Sequence, residues 1–321
     1  MKNKIFVGFD IGGTKISCGL VTDSGKIIAR AKTATPSCAS ATKIISIIDS
    51  LLEELFLSAA PSFRRKDLRG IGLGVPGIVN AKGFVLRTPN MGLSQVDMKR
   101  QLEKKFRVNI ALGNDVNLGV LGEKWLGAAR KIKNVVGLFL GTGLGAGIVI
   151  NDDLFLGSHG AAAELGHMII EENGPQCGCG NQGCLESLTG RWAIERDIRE
   201  AIRSGKKSII TKWAWHKNKP IKSKILREAL AKKDPVVVKV MTTACHHLGR
   251  ACISVRHIFD PDLIVLGGGV VEACADFILP EVKKVYQKDK FFNGLGRCDI
   301  TVSLLGDDAI ILGAVSLVRK K

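Results

Sequence analysis

At 321 residues the chain exceeds one ordinary core and suits two domains, and its 45% apolar content excludes a disordered polymer. Nine cysteines, an odd number and mostly in apolar contexts (Cys18, Cys245, Cys252, Cys274), favour reduced thiols in the cytoplasm over a disulfide framework. A net charge of +17 raises the question of polyanionic partners.

The first element predicted is a strand over 5–10. The apolar run is broken by Asp10 and Lys15 with no small-residue cleavage site after it, so it does not read as a signal peptide. No run is long enough to span a bilayer, and a soluble protein is expected. Ile11-Gly12-Gly13-Thr14 forms a turn into a second strand (15–21), and Asp23-Ser24-Gly25-Lys26 a turn into a third (27–33), an antiparallel meander. Apolar residues then recur at helical spacing over 42–59, closed by Pro61. The run 71–77 reads as a parallel strand returning after a crossover helix, and a short helix is expected over 94–106. Another strand, 108–112, ends at Asn114-Asp115, where α/β sheets present ligand-binding groups.

A helix over about 116–127 joins the halves. After it the strand–glycine turn–strand pattern returns (135–150), so an internal duplication is expected in which each half presents a glycine-rich hairpin to a shared cleft. Thr189 to Ser204 is amphipathic. Ten lysines and arginines follow within 206–233, interleaved with Trp213 and Trp215. Nucleic acid or polyphosphate suits such a face, against the plainer reading of a solvated surface. Asp234 and Pro235 open a long helix as N-cap and first-turn residue, ended by Pro261. A strand at 263–266 runs into Gly267-Gly268-Gly269, a strand is expected over 300–305, and a last helix over 307–318 is expected to pack on the first domain.

Three stretches carry chemistry. His167, Cys177, Cys179 and Cys184 match the ligand set of a closed tetrahedral zinc site, with no position open to substrate. Glu164 and Glu186 flank those ligands, and metal would fix where their carboxylates point. The run 141–146 satisfies G-x-G-x-x-A, yet a dinucleotide fingerprint needs a helix next and here the pattern resumes as strand. Glycine turns still let backbone N–H groups close on phosphate oxygens. Asp115 is the candidate general base; as a plain alternative, Asn114-Asp115 is a turn or helix cap.

In order along the chain, Asp10-Ile11-Gly12-Gly13-Thr14-Lys15, Gly74-Val75-Pro76-Gly77, Asn114-Asp115-Val116-Asn117, the stretch 140–147, Glu164-Leu165-Gly166-His167, the cysteine cluster to Glu186, and 266–269 resemble the motifs of the repressor/open-reading-frame/kinase (ROK) family, its glucokinase branch above all. The resemblance implies an α/β, actin-like ATPase domain (ribonuclease H-like) fold with a structural zinc and two lobes around a cleft. The smaller lobe would be 1–115, joined by the C-terminal helix 306–321, and the larger 116–305. It implies ATP-dependent phosphorylation of the 6-hydroxyl of a hexose, with Asp115 as base and Asn90, Asn114, Glu164, His167 and Glu186 on the other hydroxyls. Gly12, Gly13, Thr14 and Lys15 with Gly141, Thr142, Gly143 and Gly145 would cradle ATP phosphates. Asp10 would help hold Mg2+, and Gly267, Gly268 and Gly269 would lie near the adenosine. The family commonly forms dimers or tetramers.

Two positions depart from the family pattern near the sugar. Ala163 stands where glycine is usual before Glu164, and Pro89-Asn90 runs into Met91-Gly92-Leu93 without the usual tryptophan. Glucose remains the expected hexose, with N-acetylmannosamine, fructose, mannose, or a polyphosphate donor as alternatives. Repressors of the family place a helix-turn-helix before the sugar-binding part. This chain starts on its first strand, so a sugar-responsive regulator, and with it nucleic-acid binding, is the lesser expectation.

Overall fold

In the computed structural model, which describes residues 4–36, 40–88, 91–213 and 220–320, the chain opens on β1 (Ile5–Ile11), β2 (Lys15–Thr22) and β3 (Ile27–Ala34), the expected meander. α1 (Ala41–Ala59) follows, N-capped by Ser40, and then β4 (Leu68–Val75). A small antiparallel sheet comes next, made of β5 (Ile78–Val79), β6 (Val85–Arg87) and β7 (Ser94–Val96). α2 (Met98–Phe106) is shorter than its sequence pattern suggests, because Asp97 accepts from the Arg100 N–H and starts the helix there, leaving residues 94–96 as strand. β8 (Asn109–Asn114) leads directly into α3 (Asp115–Leu126). β9 (Val135–Leu140), β10 (Leu144–Ile150) and β11 (Asp153–Leu154) repeat the opening pattern. The helices α4 (Leu185–Thr189), α5 (Arg191–Arg203), α6 (Ile210–Trp213), α7 (Ser223–Ala231) and α8 (Pro235–Phe259) precede β12 (Leu263–Gly267). α9 (Gly269–Tyr286), β13 (Asp299–Val302) and α10 (Ala309–Arg319) complete the chain. No helix among the described residues is long and apolar enough to cross a membrane.

The chain divides into two compact units, one of Met1–Lys133, Gly147–Ala163 and Asp307–Lys321, the other of Asn134–Ala146 and Glu164–Gly306. The two five-stranded sheets have orders β3-β2-β1-β4-β8 and β11-β10-β9-β12-β13. In the first, β1 pairs antiparallel with β2 and parallel with β4, and β4 pairs parallel with β8. In the second, β12 lies parallel to both β9 and β13 and β11 antiparallel to β10. A meander that switches to parallel strands therefore occurs twice, the duplication expected from the two glycine hairpins.

In the first unit, alternate residues of β1 and β2 (Ile5, Val7, Phe9, Ile16, Cys18, Leu20) bury one face of the sheet against Ile44, Ile48, Leu52 and Leu55 of α1. The other face carries glycines where helices come close. A Cβ on Gly8 would lie 2.1 Å from the Ile311 carbonyl oxygen, and one on Gly72 2.0 Å from that of Ala314, so α10 rests on the backbone of β1 and β4. α3 and α10 meet in the same way, through Gly122 against Ala309 and Gly313 against Leu118.

In the second unit α8 starts where its sequence says it should. Both Val236 and Val237 N–H donate to Asp234 Oδ1, with Pro235 in the first turn, a cap worth about 1 kcal/mol. Asp260, at φ +39°, ends the helix just before Pro261. The Gly249 of α8 makes room for α9, since a Cβ there would lie 2.6 Å from that of Val285.

Candidate active site

The first unit places Asp10 near the end of β1 and Asp115 just past the end of β8, with β4 between those two strands. Asp10 is in register with Gly74, and Gly74 with Gly113, so one row crosses the carboxyl ends of β1, β4 and β8 just before Asp115 begins α3. That row sets β1 and β8 two strand spacings, about 10 Å, apart, with Asp115 two residues past its last member. Burial, and after it the Asp115 carboxylate, pushes Asp10 up from 3.8 to about 7; Lys15 opposes this and Asp307 adds to it. A group so perturbed at strand ends marks a place built to receive positive charge. Asp115 Oδ1 accepts from the Val116 N–H at 2.9 Å. Asn114 is engaged at both ends: its Oδ1 accepts from Asn117 N–H (3.0 Å), capping α3, and its Nδ2 donates to the Gly77 carbonyl (3.0 Å). The Asn-Asp pair is thus a cap and a strand-end carboxylate at once.

Beside Asp10, the turn between β1 and β2 is closed by Gly12 N–H to Lys15 O (2.9 Å) and tied to the residue just after β3 by Thr35 Oγ1 donating to Gly12 O (2.6 Å). Gly13, Thr14 and Lys15 are exposed on it, with the Lys15 ammonium 3.8 Å from Asp307. Asp307 carried no signal in the sequence because it lies almost the whole chain away from Lys15.

The second unit holds the predicted residues from Gly141 to Gly145 and from Glu164 to Gly269. The hairpin at 141–143 is closed by Gly141 N–H to Gly143 O (3.0 Å), and the chain after it is strand, which removes a dinucleotide-binding turn. Three contacts press on this hairpin. A Cβ on Gly166, between Glu164 and His167, would lie 2.0 Å from the Leu144 carbonyl oxygen. Glu186 Oε2 accepts from Leu144 N–H at 2.9 Å, and Arg191 Nη2 donates to Thr142 Oγ1 at 3.0 Å. The last contact joins two residues 49 apart, one of them outside every motif read from the sequence. Burial raises the Glu164 carboxyl above its ordinary range, with His167 opposing and Glu186 adding. Gly268, at φ +86°, passes within 2.5 Å (measured from its would-be Cβ) of the Leu140 carbonyl, so the start of α9 stands beside the root of the same hairpin. Gly145 lies just beyond on β10, and Gly267 pairs in register with Phe139.

His167, Cys177, Cys179 and Cys184 present one nitrogen and three sulfurs all within 4.8 Å of one another. The His167 Nδ1 to Cys177 Sγ distance is 3.7 Å and Cys179 Sγ to Cys184 Sγ 3.6 Å. Ligands at zinc's usual bond lengths sit about 3.5–3.8 Å from each other on a tetrahedron. The donor set and its edges fit that ion. Gly183, at φ +69°, lets the loop pass against Glu171, whose carbonyl oxygen a Cβ would meet at 1.7 Å. The eight described cysteines are free thiols, and burial pushes Cys18 and Cys245 up to about 12.

The sequence model of the ROK family matches residues 6–321. The chain belongs to the ROK family. Relatives include a glucokinase of Thermotoga maritima, 34% identical over 98% of this chain and 97% of that one. A putative xylose repressor of Caldicellulosiruptor sp. is 32% identical over 98% of this chain and 78% of the relative. Among solved structures, a ROK glucokinase from Streptomyces griseus in complex with glucose and AMPPNP superposes with a TM-score of 0.84 at 28% identity, covering 99% of this chain and 100% of that one. A ROK transcriptional regulator, homologous to the E. coli MLC protein, gives a TM-score of 0.86 at 26% identity, covering 98% and 78%. The α/β two-sheet fold is thus that of ROK sugar kinases, of the actin-like ATPase type.

Within this ROK protein, Asn90 lies outside the described residues, as do Trp215, Lys217 and Lys219 of the basic segment. Ala163, where the family pattern has glycine, keeps the backbone that glycine favours, at φ +69° immediately before Glu164. Met91 and Leu93 are buried, so the residues replacing the usual tryptophan belong to the core. Part of the basic segment, Lys206 and Lys207, rims a cleft of about 650 Å³ between α5 and α8 that holds none of the predicted site residues.

Proposed function

We propose that this protein is an ATP-dependent hexose kinase that phosphorylates the 6-hydroxyl, with glucose as its preferred substrate. The observation carrying this reading is the pair of acids at strand ends, one of them, Asp10, lifted to about 7 by burial and by Asp115. Asp115 is the base: it accepts the hydroxyl proton as the oxygen attacks phosphorus. Asp10 holds magnesium, which when bound would shield the phosphate charge, and the exposed N–H groups at Gly13 and Thr14 face the phosphates. Glu164, His167 and Glu186 fix the remaining hydroxyls, with Asn90 joining them. Asn114 acts by orienting Asp115 through its cap on α3. Gly267, Gly268 and Gly269 border the adenosine.

In the same reading, zinc on His167, Cys177, Cys179 and Cys184 is structural and leaves no coordination position for substrate. It sets specificity, through the angle of His167 and of Glu186 two residues past the last ligand, and takes no part in transfer. A homo-oligomer, dimer or tetramer, and a cytoplasmic setting complete the proposal.

A coupled ADP-release assay over a panel of hexoses, repeated with polyphosphate, tests it. Asp115→Asn is expected to lower turnover at least about a hundredfold while hexose binding persists. Normal turnover in that variant removes Asp115 as base. The repressor relatives support a second reading, a sugar-responsive regulator. No turnover on any hexose, together with DNA gel shifts that persist at physiological salt, would favour it.

A further inference from the structure

We infer that Glu186 is a positioning residue for the phosphate-binding hairpin, so that one carboxylate serves both substrates of the transfer. The inference rests on the kinase reading and adds to it a link between the sugar and nucleotide sides. Glu186 Oε2 accepts from the Leu144 N–H at 2.9 Å. A Cβ built on Gly143 would lie 2.1 Å from that oxygen and 2.7 Å from the carboxylate carbon, so the carboxylate lies against the tip of the hairpin in space that only glycine leaves.

This contact decides what the hairpin can offer a phosphate. The Leu144 N–H is directed at Glu186, and the Gly141 N–H at the Gly143 carbonyl. The N–H groups of Thr142 and Gly143 make no hydrogen bond within the described residues, and they are the donors left for phosphate oxygens. Leu144 is buried, at 4% exposure, so its N–H has no ready substitute partner in solvent. Without the carboxylate that donor would be orphaned and the hairpin tip would rearrange.

A carboxylate has about four acceptor sites, and Leu144 takes one. A sugar hydroxyl bonded to the other oxygen would hold the carboxylate at the angle at which Oε2 meets Leu144. Occupancy of the sugar side then stiffens the phosphate side, and by linkage the reverse holds equally. A residue that only read the sugar would leave the ligand-free hairpin and the nucleotide untouched.

The test therefore uses the protein without hexose. Glu186→Ala removes the carboxylate; Glu186→Asp withdraws it by one methylene and guards against misfolding in the first variant. Amide exchange of Leu144 in the ligand-free protein is compared with that of Leu138 in the same hairpin's strand. Binding of Mg-AMPPNP is measured by calorimetry. In both variants Leu144 is expected to exchange at least about tenfold faster with Leu138 unchanged, and AMPPNP to bind about tenfold more weakly, the loss of one charge-assisted hydrogen bond. Unchanged Leu144 exchange, or unchanged AMPPNP affinity in variants that lose only hexose affinity, overturns the inference. Failure of the kinase reading is seen separately, as wild-type protein that turns over no hexose.

Discussion

Two residues of the site hold conformations or charges that an ordinary surface would not, and each makes a measurable difference. Asp10 holds its proton more tightly folded, at about 7, than the ordinary 3.8 of a free carboxyl. The folded protein therefore binds more protons between about pH 4 and 7, and the stability from this group is full below the lower value and lost as pH rises through the upper. Melting of the ligand-free protein followed over that window should show a fall towards neutrality that is smaller in Asp10→Asn. An equal fall in both would place the raised proton elsewhere. Ala163 presents the opposite case, a side chain on a backbone at φ +69°. An L-residue there costs about 1–2 kcal/mol, while glycine frees the unfolded chain by about 0.5–1 kcal/mol. Ala163→Gly should thus leave stability level or raise it by up to about 1.5 kcal/mol, read as a melting temperature that does not fall. Its effect on function belongs to the next residue, Glu164, whose freedom increases, so a higher hexose KM with little change in kcat is expected.

At the scale of elements, glycine does more than make turns. Gly8, Gly72, Gly122 and Gly313 bring α10 onto β1 and β4 and against α3 at backbone contact. Gly72→Ala would drive a methyl to 2.0 Å from the Ala314 carbonyl oxygen, backbone that cannot rotate aside. A loss of about 3 kcal/mol is expected by denaturant titration, the upper range for overpacking. Gly178→Ala, with nothing within 4 Å of its Cβ, is the control and should cost far less. These contacts also explain which parts of the fold were legible in the sequence. The meander, the long α8 and the strand character after Gly143 follow from period, caps and turns, all encoded within a few neighbouring residues. Residues 94–96 did not read as strand because their partner, β6, is only three residues long and the helical pattern of α2 runs into them. The bond between Glu186 and Leu144 spans 42 residues and that between Lys15 and Asp307 nearly the whole chain, so no local pattern announces either. The motifs mark candidate site residues; they do not tell that Asn114 is a cap with both ends engaged, nor that a Cβ at Gly166 would meet the Leu144 carbonyl.

For the whole molecule, the repeated sheet supplies two frames of the same topology, and the difference between them is what each carries. The first frame ends in acids, Asp10 and Asp115; the second ends in a hairpin surrounded by a loop that has little regular structure of its own. Between His167 and Cys184 the described backbone has no helix or strand, only the isolated bridges Ile169 with Cys184 and Gln176 with Gln182 and turn-type backbone bonds such as Cys177 N–H to Asn181 O. On the proposed zinc reading, ligation of the four residues, Cys179 itself exposed, is the interaction that orders this loop. All four ligands, with Glu164 and Glu186, lie in the second unit. Chelation at neutral pH, or Cys179→Ser, should then raise amide exchange from 164 to 190 and weaken hexose binding at least about tenfold, following second-sphere effects on oriented ligands. Exchange in β1 and β4 of the first unit should hardly change. Zinc content by mass spectrometry, one ion per chain in the wild type and less in the variant, checks the cause. If chelation strips the ion and the 164–190 exchange stays as it was, the loop is ordered by its packing on the hairpin through Gly166 and Glu186, and the metal is incidental to specificity.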